Sequence, residues 1–224
     1  MRLTVLSTVL SLALLTALPS GANAAGSTPD GKFYVGLNIG TSRADAHVSQ
    51  QFFGPNVVTP NGDSTGFQAR FGYQFSRFFA VEAGYVDFGQ FEINNIPYYC
   101  TPGGPATCTY NVRSSMNGPF ADFVATWPFA ERWALNAHLG AYYASVSTTE
   151  GDPDIASSHR HYSDSNTAFH YGAGLSFRVT PKLDVELAWS EFDQISLGLG
   201  LGGGAAVYDE GSSTLTSLGV LFRF

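Results

Sequence analysis

Apolar and polar residues alternate with a period of two in eight segments of the chain. Successive side chains of a β-strand point to opposite faces, so the alternation predicts strands with one apolar and one small or polar face. The apolar positions are Phe33, Val35, Leu37 and Ile39; Phe67, Ala69, Phe71, Tyr73 and Phe75; Phe79, Val81, Ala83 and Tyr85; Ala121, Phe123, Ala125 and Trp127; Trp133, Leu135, Ala137, Leu139, Ala141 and Tyr143; Phe169, Tyr171, Ala173, Leu175 and Phe177; Leu183, Val185, Leu187 and Trp189; and Leu218, Val220, Phe222 and Phe224. No run of 18 apolar residues follows Ala25, which excludes a helical membrane bundle.

The connections between these segments alternate in length. Tight turns are expected near residues 76–77, 128–132 and 180–182, whereas residues 43–64, 94–109, 149–166 and 191–213 form long, polar or Gly-rich connections. An even strand number, with short turns at one end and long loops at the other, is typical of outer-membrane barrels. The sequence therefore predicts an all-β fold, an eight-stranded antiparallel transmembrane β-barrel with short periplasmic turns and long extracellular loops, over residues 25–224.

Composition supports a barrel in lipid. Hydrophobic residues make up 44% of the chain and charged residues only 13%, yet the mean hydropathy is +0.01, as expected when lipid-facing and lumen-facing positions are averaged. The strands of a soluble barrel also alternate apolar and polar residues. Its surface faces water, however, so more lysines would be expected than the two present, Lys32 and Lys182. Aromatic residues beside the tight turns predict the interfacial girdle of a membrane barrel. The formal charge of −7 excludes nucleic acid as a partner.

The first 24 residues read as a cleaved signal peptide. A short basic start precedes an apolar run and the Ala-x-Ala sequence that ends at Ala24. Loss of Arg2 with this segment takes the formal charge from −7 to −8. Cys100 and Cys108 lie in the exported part, where an oxidising compartment favours a disulfide. A metal pair is the alternative, although no histidine lies in the same segment.

Residues 79–89, residues 132–133 with 140–144, and residues 171–177 resemble the outer membrane protein A-type family of eight-stranded barrels in order and spacing. Phe222 and the terminal Phe224 resemble the signal by which such barrels are recognised for assembly. The resemblance implies an outer-membrane location, contact with outer-membrane lipid including lipopolysaccharide, and handling by periplasmic chaperones and the barrel assembly machinery. Many members carry a peptidoglycan-binding domain after the barrel, and that role is not expected here. The seventh strand departs from the family pattern, because no Arg accompanies Glu191.

Seven charged residues and one histidine are predicted to line the interior. Turn positions make Arg70 and Glu82 near cross-strand neighbours, and they place Asp122 opposite His138. Charges removed from water are expected to be paired. The same reasoning pairs Arg178 with Asp184 and Ser176 with Glu186. With Arg223, three positive groups face four negative ones, which predicts a nearly neutral, plugged polar core. The alternative is a narrow, low-conductance pore that passes Arg70 and Glu82.

Catalytic, cofactor-binding and metal-binding sites are not predicted. The stretch 159–164 contains His161 two residues before Ser163, which is similar to the His-x-Ser of lipid A deacylase barrels, but it is expected in the third loop, far from the chain end. The predicted function is a non-enzymatic envelope-integrity and surface-display role. The alternative is an adhesin or ligand-binding barrel that acts through its loops, above all through Tyr98, Tyr99 and the Cys100–Cys108 hairpin. A lipid A-modifying enzyme is the third possibility.

Overall fold

Eight long strands make up the part of the chain that the computed structural model describes, residues 32–46, 63–99, 107–151, 160–201 and 205–224. No helix in this part is long and apolar enough to cross a membrane. The strands are β1 (Lys32–Ala46), β2 (Asp63–Gln74), β3 (Phe79–Tyr99), β4 (Thr107–Pro128), β5 (Trp133–Gly151), β6 (Arg160–Thr180), β7 (Leu183–Leu201) and β8 (Ala205–Arg223).

The sheet closes on itself into a barrel. Each strand pairs antiparallel with its neighbour in sequence, and β1 pairs with β8 from Tyr34 opposite Arg223 to Ala46 opposite Gly211. Closure leaves no strand edge, so the backbone donors and acceptors have partners within the sheet. This confirms the predicted all-β, eight-stranded antiparallel barrel.

All eight predicted strand phases are confirmed. In β5, for example, Trp133, Leu135, Leu139 and Tyr143 are exposed on the outer face, while Tyr142 on the other phase is buried. The outward apolar stretch from Trp133 to Tyr143 spans 11 residues, which matches the roughly 9–11 residues of a tilted strand that crosses a bilayer. An exposed apolar belt of this height is stable only against lipid.

Three tight turns join strands at one end of the barrel, at the predicted places. Residues 75–78 follow β2, residues 129–132 follow β4, and residues 181–182 follow β6. In the first turn, the Ser76 hydroxyl oxygen accepts hydrogen bonds from the backbone N–H of Phe78 at 3.2 Å and of Phe79 at 3.0 Å. A hydroxyl used in this way holds a short turn without further residues.

Aromatic side chains surround the turn end of the barrel. Phe33 lies 4.9 Å from Tyr73, and Trp133 lies 4.7 Å from Phe177, between ring centroids. At the chain end, Phe222 and Phe224 are exposed on the outer face. The backbone N–H of Phe224 donates to the carbonyl of Phe33 at 3.0 Å, so the terminus is tied to the first strand. The ring of aromatic residues matches the interfacial girdle expected from the sequence.

The connections at the other end are shorter than predicted. Residues expected in loops continue the sheet, because β3 extends to Tyr99, β4 begins at Thr107, β5 extends to Gly151 and β6 begins at Arg160. Backbone pairing does not require lipid, so a hairpin can continue beyond the apolar belt into water. The pairing of β3 with β4 is irregular between Asp87 and Gln90. Gly89 there has a φ of 77°, a conformation that accommodates the extra residue of a bulge.

Two predictions from the sequence concern residues that are not described. The signal peptide, residues 1–24, lies outside the described residues. Cys100 also lies outside them, and only the backbone of Cys108 is described, so the disulfide stays a prediction.

The apolar belt yields a stability prediction. Leu139 is 63% exposed near the middle of the outward stretch of β5. Leu139→Arg is expected to lower the free energy of unfolding by about 2–4 kcal/mol, because a guanidinium near the bilayer midplane is poorly solvated. Urea titration of the barrel in lipid vesicles, followed by heat-modifiable gel mobility, measures the change.

The matched control is Ser163→Arg. Ser163 is exposed on the neighbouring strand, opposite Ser147 and beyond the belt, so this Arg remains in water and stability should stay within about 0.5 kcal/mol. Equal effects of the two substitutions would contradict the position of the belt.

Candidate functional site

The most elaborate set of side chains in the described part of the chain lies inside the barrel. The Arg70 guanidinium of β2 donates through Nη2 to Glu186 Oε2 of β7, on the far side of the lumen. Its Nη1 lies 3.6 Å from Glu82 Oε2 of β3. All three side chains are almost fully buried. Gly36 leaves room for this arginine, because a Cβ at residue 36 would lie 2.7 Å from Arg70 Nε.

Neutral donors hold the two carboxylates on either side of Arg70. The Tyr34 hydroxyl donates to Glu82 Oε1 at 2.6 Å. The amide of Asn136 donates to Glu186 Oε1 at 2.9 Å and also to Ser176 Oγ. Ser176 lies directly opposite Glu186, as predicted from the turn. A buried carboxylate with several donors is fixed in place, because leaving any of them unpaired would cost free energy.

A second buried acid uses a histidine instead of an arginine. His170 Nδ1 of β6 lies 2.8 Å from Asp122 Oδ1 of β4, and both side chains are buried. The predicted pairing of Asp122 with His138 is wrong, because Asp122 lies opposite Gly140 and His138 opposite Val124. Pro128 pairs with Ala134, so the centre of the turn is one residue later than expected, and each partner shifts by two positions.

The contacts of Arg70 and His138 with carboxylates do not follow direct cross-strand pairing. Arg70 lies opposite Gly84, and Glu82 lies opposite Gly72, so the predicted neighbours meet diagonally. His138 Nδ1 lies 3.5 Å from Glu82 Oε2, and its Nε2 lies 3.9 Å from Glu186 Oε1. The His138 imidazole therefore lies between the carboxylates of Glu82 on β3 and Glu186 on β7.

At the turn end of the interior, Arg223 is the main partner of Asp184. Arg223 Nε donates to Asp184 Oδ2 at 2.8 Å, and Nη1 donates to Gln74 Oε1 at 2.6 Å. Arg178 lies directly opposite Asp184, as predicted, at 3.5 Å from Oδ1. Its side chain is nevertheless 51% exposed, so its assignment to the interior is wrong. Arg178 lies two residues from the end of β6, where a long side chain reaches water.

These positions change the predicted charge balance. With Arg178 at the rim, Arg70 and Arg223 face four buried carboxylates, those of Glu82, Asp122, Asp184 and Glu186. The interior is therefore more acidic than the nearly neutral core expected from the sequence. Two buried histidines, His138 and His170, lie against these acids.

Above the charged groups lies an aromatic cluster, which we define as Phe88, Tyr142 and Phe192. The ring centroids of Phe88 and Phe192 are 4.8 Å apart, and those of Tyr142 and Phe192 are 5.0 Å apart. All three residues are fully buried, together with Met116 and Leu215. This cluster was not predicted from the sequence, although it has a local signal there, namely aromatic residues at inward positions of β3, β5 and β7.

His170 connects the aromatic cluster to the charged groups. Its ring stacks on Phe192, with centroids 4.0 Å apart and planes 9° apart, while Nδ1 faces Asp122. The interior thus has two levels, a charged level near the turns and an aromatic level toward the opposite end.

Ion pairs also lie at the open end, beyond the apolar belt. Arg43 Nε donates to Asp63 Oδ1 at 2.5 Å, and Arg113 Nε donates to Glu92 Oε1 at 2.6 Å, with all four side chains exposed. The hydrogen bond from Arg43 holds the pKa of the Asp63 carboxyl below its usual value. Exposed pairs of this kind contribute little to stability.

The stretch considered for catalysis does not lie in a loop. His159 is outside the described residues, and the remainder lies on β6 from Arg160. The His161 ring nitrogens lie 3.3 Å from Ser147 Oγ and 3.3 Å from Thr149 Oγ1 on β5. The contacts of His161 are thus with β5, on the exposed surface, and not with Ser163 of its own strand.

One group of interior side chains could hold a metal ion. Glu82, Asp122 and His138, all buried, each offer a ligand atom, and these atoms lie within 4.8 Å of one another. The three residues come from three different strands, so no local sequence motif predicts the group.

Comparison with known proteins agrees with this architecture. A family model described as the OmpA-like transmembrane domain matches residues 28–224. The chain belongs to this family. Membership of a transmembrane-domain family agrees with an outer-membrane location. No curated protein sequence matches the chain.

The solved structures similar to this OmpA-like barrel have low sequence identity to it. Ail, the attachment invasion locus protein of Yersinia pestis, solved with the heparin analogue sucrose octasulfate, is 16% identical; the match covers 87% of this chain and 99% of that one, with a TM-score of 0.51. Neisserial surface protein A is 18% identical, with 86% and 97% covered and a TM-score of 0.44. The outer membrane protease OmpT of Escherichia coli is 10% identical, with 91% and 100% covered and a TM-score of 0.49.

The charged level yields a second stability prediction. Arg70→Met leaves Glu82 and Glu186 without their guanidinium and is expected to lower the free energy of unfolding by about 3–5 kcal/mol. Adding Glu186→Gln in the same chain should recover part of this loss, because it removes one of the uncompensated charges. Urea titration in lipid vesicles checks both variants.

Arg113→Met serves as the control, since it breaks an exposed ion pair. It should change stability by only about 0.2–1 kcal/mol. A loss in Arg70→Met no larger than that of the control would show that the buried pairs do not hold the barrel together.

Proposed function

We propose that this OmpA-like barrel is a non-enzymatic structural protein of the outer membrane, with a closed lumen and with strand hairpins displayed at the cell surface. The observation that carries the proposal is the two-level interior, in which charged side chains with partners lie below a buried aromatic cluster. The signal peptide, removed after Ala24, and contacts with lipopolysaccharide, periplasmic chaperones and the barrel assembly machinery form part of the proposal.

Each level opposes conduction for a different reason. An eight-stranded barrel leaves an interior just wide enough for side chains. An ion that crosses the charged level must compete with Arg70, whose guanidinium is held between Glu82 and Glu186. At the aromatic level, Phe88, Tyr142 and Phe192 present mainly apolar surface, which disfavours hydrated ions. A narrow pore is therefore the less favoured alternative.

Planar-bilayer recording tests the closed lumen. The wild-type barrel is expected to insert without stable unitary conductance, because the charged level and the aromatic level both oppose the passage of hydrated ions. Insertion is verified in parallel by heat-modifiable mobility of protein recovered from floated vesicles. Reproducible single-channel steps from inserted protein would overturn the proposal.

Sensitivity of cells to detergent with a chelator tests the envelope role. A strain without the protein should be more sensitive, and both the wild-type chain and a variant with residues 94–111 replaced by an Asn-Gly turn should restore resistance. The short turn is designed to close the hairpin where Ile93 lies opposite Val112. Failure of both chains to complement would contradict a structural role.

A second candidate function, attachment through the outer hairpins, is favoured by the length of β3 and β4. Their pairing continues to Tyr99 opposite Thr107, well beyond Tyr85 of the outward apolar belt. At about 3.3 Å per residue, the 14 residues that follow Tyr85, up to Tyr99, extend roughly 46 Å along the strand. Loss of cell adhesion in the 94–111 variant, with envelope resistance retained, would assign attachment to this hairpin.

The chemistry of the chain bears on the kind of ligand. The similar Ail structure contains a heparin analogue, but at 16% identity the likeness supports the fold alone. The formal charge of −7 opposes binding of a sulfated polyanion. We propose a neutral or basic partner for the hairpins, so the barrel should pass through a heparin column without retention at physiological salt. The non-enzymatic assignment is tested by mass spectrometry of lipid A, which should be unchanged in expressing cells.

A further inference from the structure

The interior contains a group of ligand-type atoms that neither the closed lumen nor surface display requires. Glu82, Asp122 and His138 come from β3, β4 and β5 and place their ligand atoms within 4.8 Å of one another. Each of the three side chains is more than nine-tenths buried. A mixed carboxylate and imidazole set in so small a volume is the donor chemistry of a transition-metal site.

Polar atoms of all three residues lack hydrogen bonds. Among the described residues, none forms a hydrogen bond to Asp122 Oδ2 or His138 Nε2. Glu82 Oε2 has only longer contacts, with Arg70 Nη1 at 3.6 Å and His138 Nδ1 at 3.5 Å. Leaving buried polar atoms in this condition is costly, and more so for a carboxylate oxygen. The three residues therefore retain lone pairs or donors that a further group in the interior would satisfy.

The charge of the surrounding side chains indicates what kind of group this is. Around Arg70, the carboxylates of Glu82, Asp122 and Glu186 present three negative charges to one guanidinium, and Arg223 already serves Asp184 at the turn end. This excess of carboxylates over guanidiniums leaves a deficit of positive charge in a buried volume. A divalent cation supplies that charge, whereas a water molecule does not.

We propose that Glu82, Asp122 and His138 bind one divalent transition-metal ion of the Zn²⁺ type inside the barrel. The imidazole favours Zn²⁺ or Co²⁺ over Mg²⁺ and Ca²⁺, which prefer oxygen ligands alone. Metal–ligand distances of about 2.0–2.1 Å place tetrahedral ligands roughly 3.3 Å apart, so small side-chain rotations must draw the ligand atoms together. The inference does not rest on the proposed function, since a closed and a conducting barrel could both hold the ion.

Neighbouring contacts are suited to such a site. His170 Nδ1 lies 2.8 Å from Asp122 Oδ1, and the Tyr34 hydroxyl donates to Glu82 Oε1 at 2.6 Å. Each contact engages one carboxylate oxygen and leaves the other for the ion, as supporting residues around metal ligands do. Arg70 retains Glu186 as its partner when Glu82 turns toward the metal.

Metal analysis of untagged, full-length mature barrel tests the proposal. The protein is refolded from urea with Zn²⁺ or Co²⁺ present, so that the ion need not cross the closed ends, and is then desalted. We expect about one ion per chain by mass spectrometry and the visible absorption bands of tetrahedral Co²⁺. An excess of Mg²⁺ or Ca²⁺ should not displace the ion.

Variants distinguish the interior from surface histidines. His138→Ala should abolish the absorption bands, whereas His161→Ala, which removes an exposed histidine on β6, should retain them. His170→Phe keeps a ring to pack on Phe192 but loses the contact to Asp122, and should weaken the affinity about 10–100-fold. Asp122→Asn, which has nearly the same shape, replaces His138→Ala if that variant lacks the heat-induced mobility shift.

Two outcomes would contradict the metal site. No bound ion in the folded wild type would overturn the proposal and assign the interior group to ordered water. Binding that survives His138→Ala and Asp122→Asn but disappears in His161→Ala would also overturn it, because the ion would then be at the surface. Since none of these measurements reports conductance or envelope resistance, their failure is separate from that of the proposed function.

Discussion

Closure of the sheet between β1 and β8 is the constraint on which the rest of the structure depends. Lipid offers no hydrogen bonds, so an open edge would leave a row of backbone donors and acceptors unsatisfied at a cost of several kcal/mol each. The pairing from Tyr34 opposite Arg223 onward removes that edge. Once the eight strands close, successive side chains face either the lipid or the lumen. The interior contacts then depend on which residues face the lumen.

The lumen is small, so the side chains that face it must pack against one another. Side chains from strands that are not neighbours meet across it, such as Arg70 of β2 with Glu186 of β7 and Asp122 of β4 with His170 of β6. Charges enclosed in this way persist only with partners. The aromatic cluster of Phe88, Tyr142 and Phe192 is the apolar counterpart, in which three buried rings from β3, β5 and β7 pack against one another. The barrel is thus stabilised by lipid contacts outside and by a specific core inside.

The metal site proposed for Glu82, Asp122 and His138 would be part of that core. Its acidic excess arises because Arg178, counted with the interior from sequence, reaches the rim instead. A strand phase assigns a residue to a face, but near a strand end a long side chain can leave that face for water. With Arg178 at the rim, four buried carboxylates face two arginines, and the carboxylates in excess lie around Arg70.

The sequence by itself determined the strand phases, the number of strands and the short turns, because a period of two and turn chemistry are local properties that survive in any register. It also identified Arg70, Glu82 and Glu186 as inward, from phase alone. The turn after β6 also predicted the pairing of that strand with β7, such as Ser176 opposite Glu186, but only the tertiary structure decided the other partners. Asp122 lies opposite Gly140 and not His138, because a one-residue change in the turn centre moves every partner by two. Contacts across the lumen, such as that between Asp122 and His170, depend on closure and on the relative heights of distant strands, which no local pattern records.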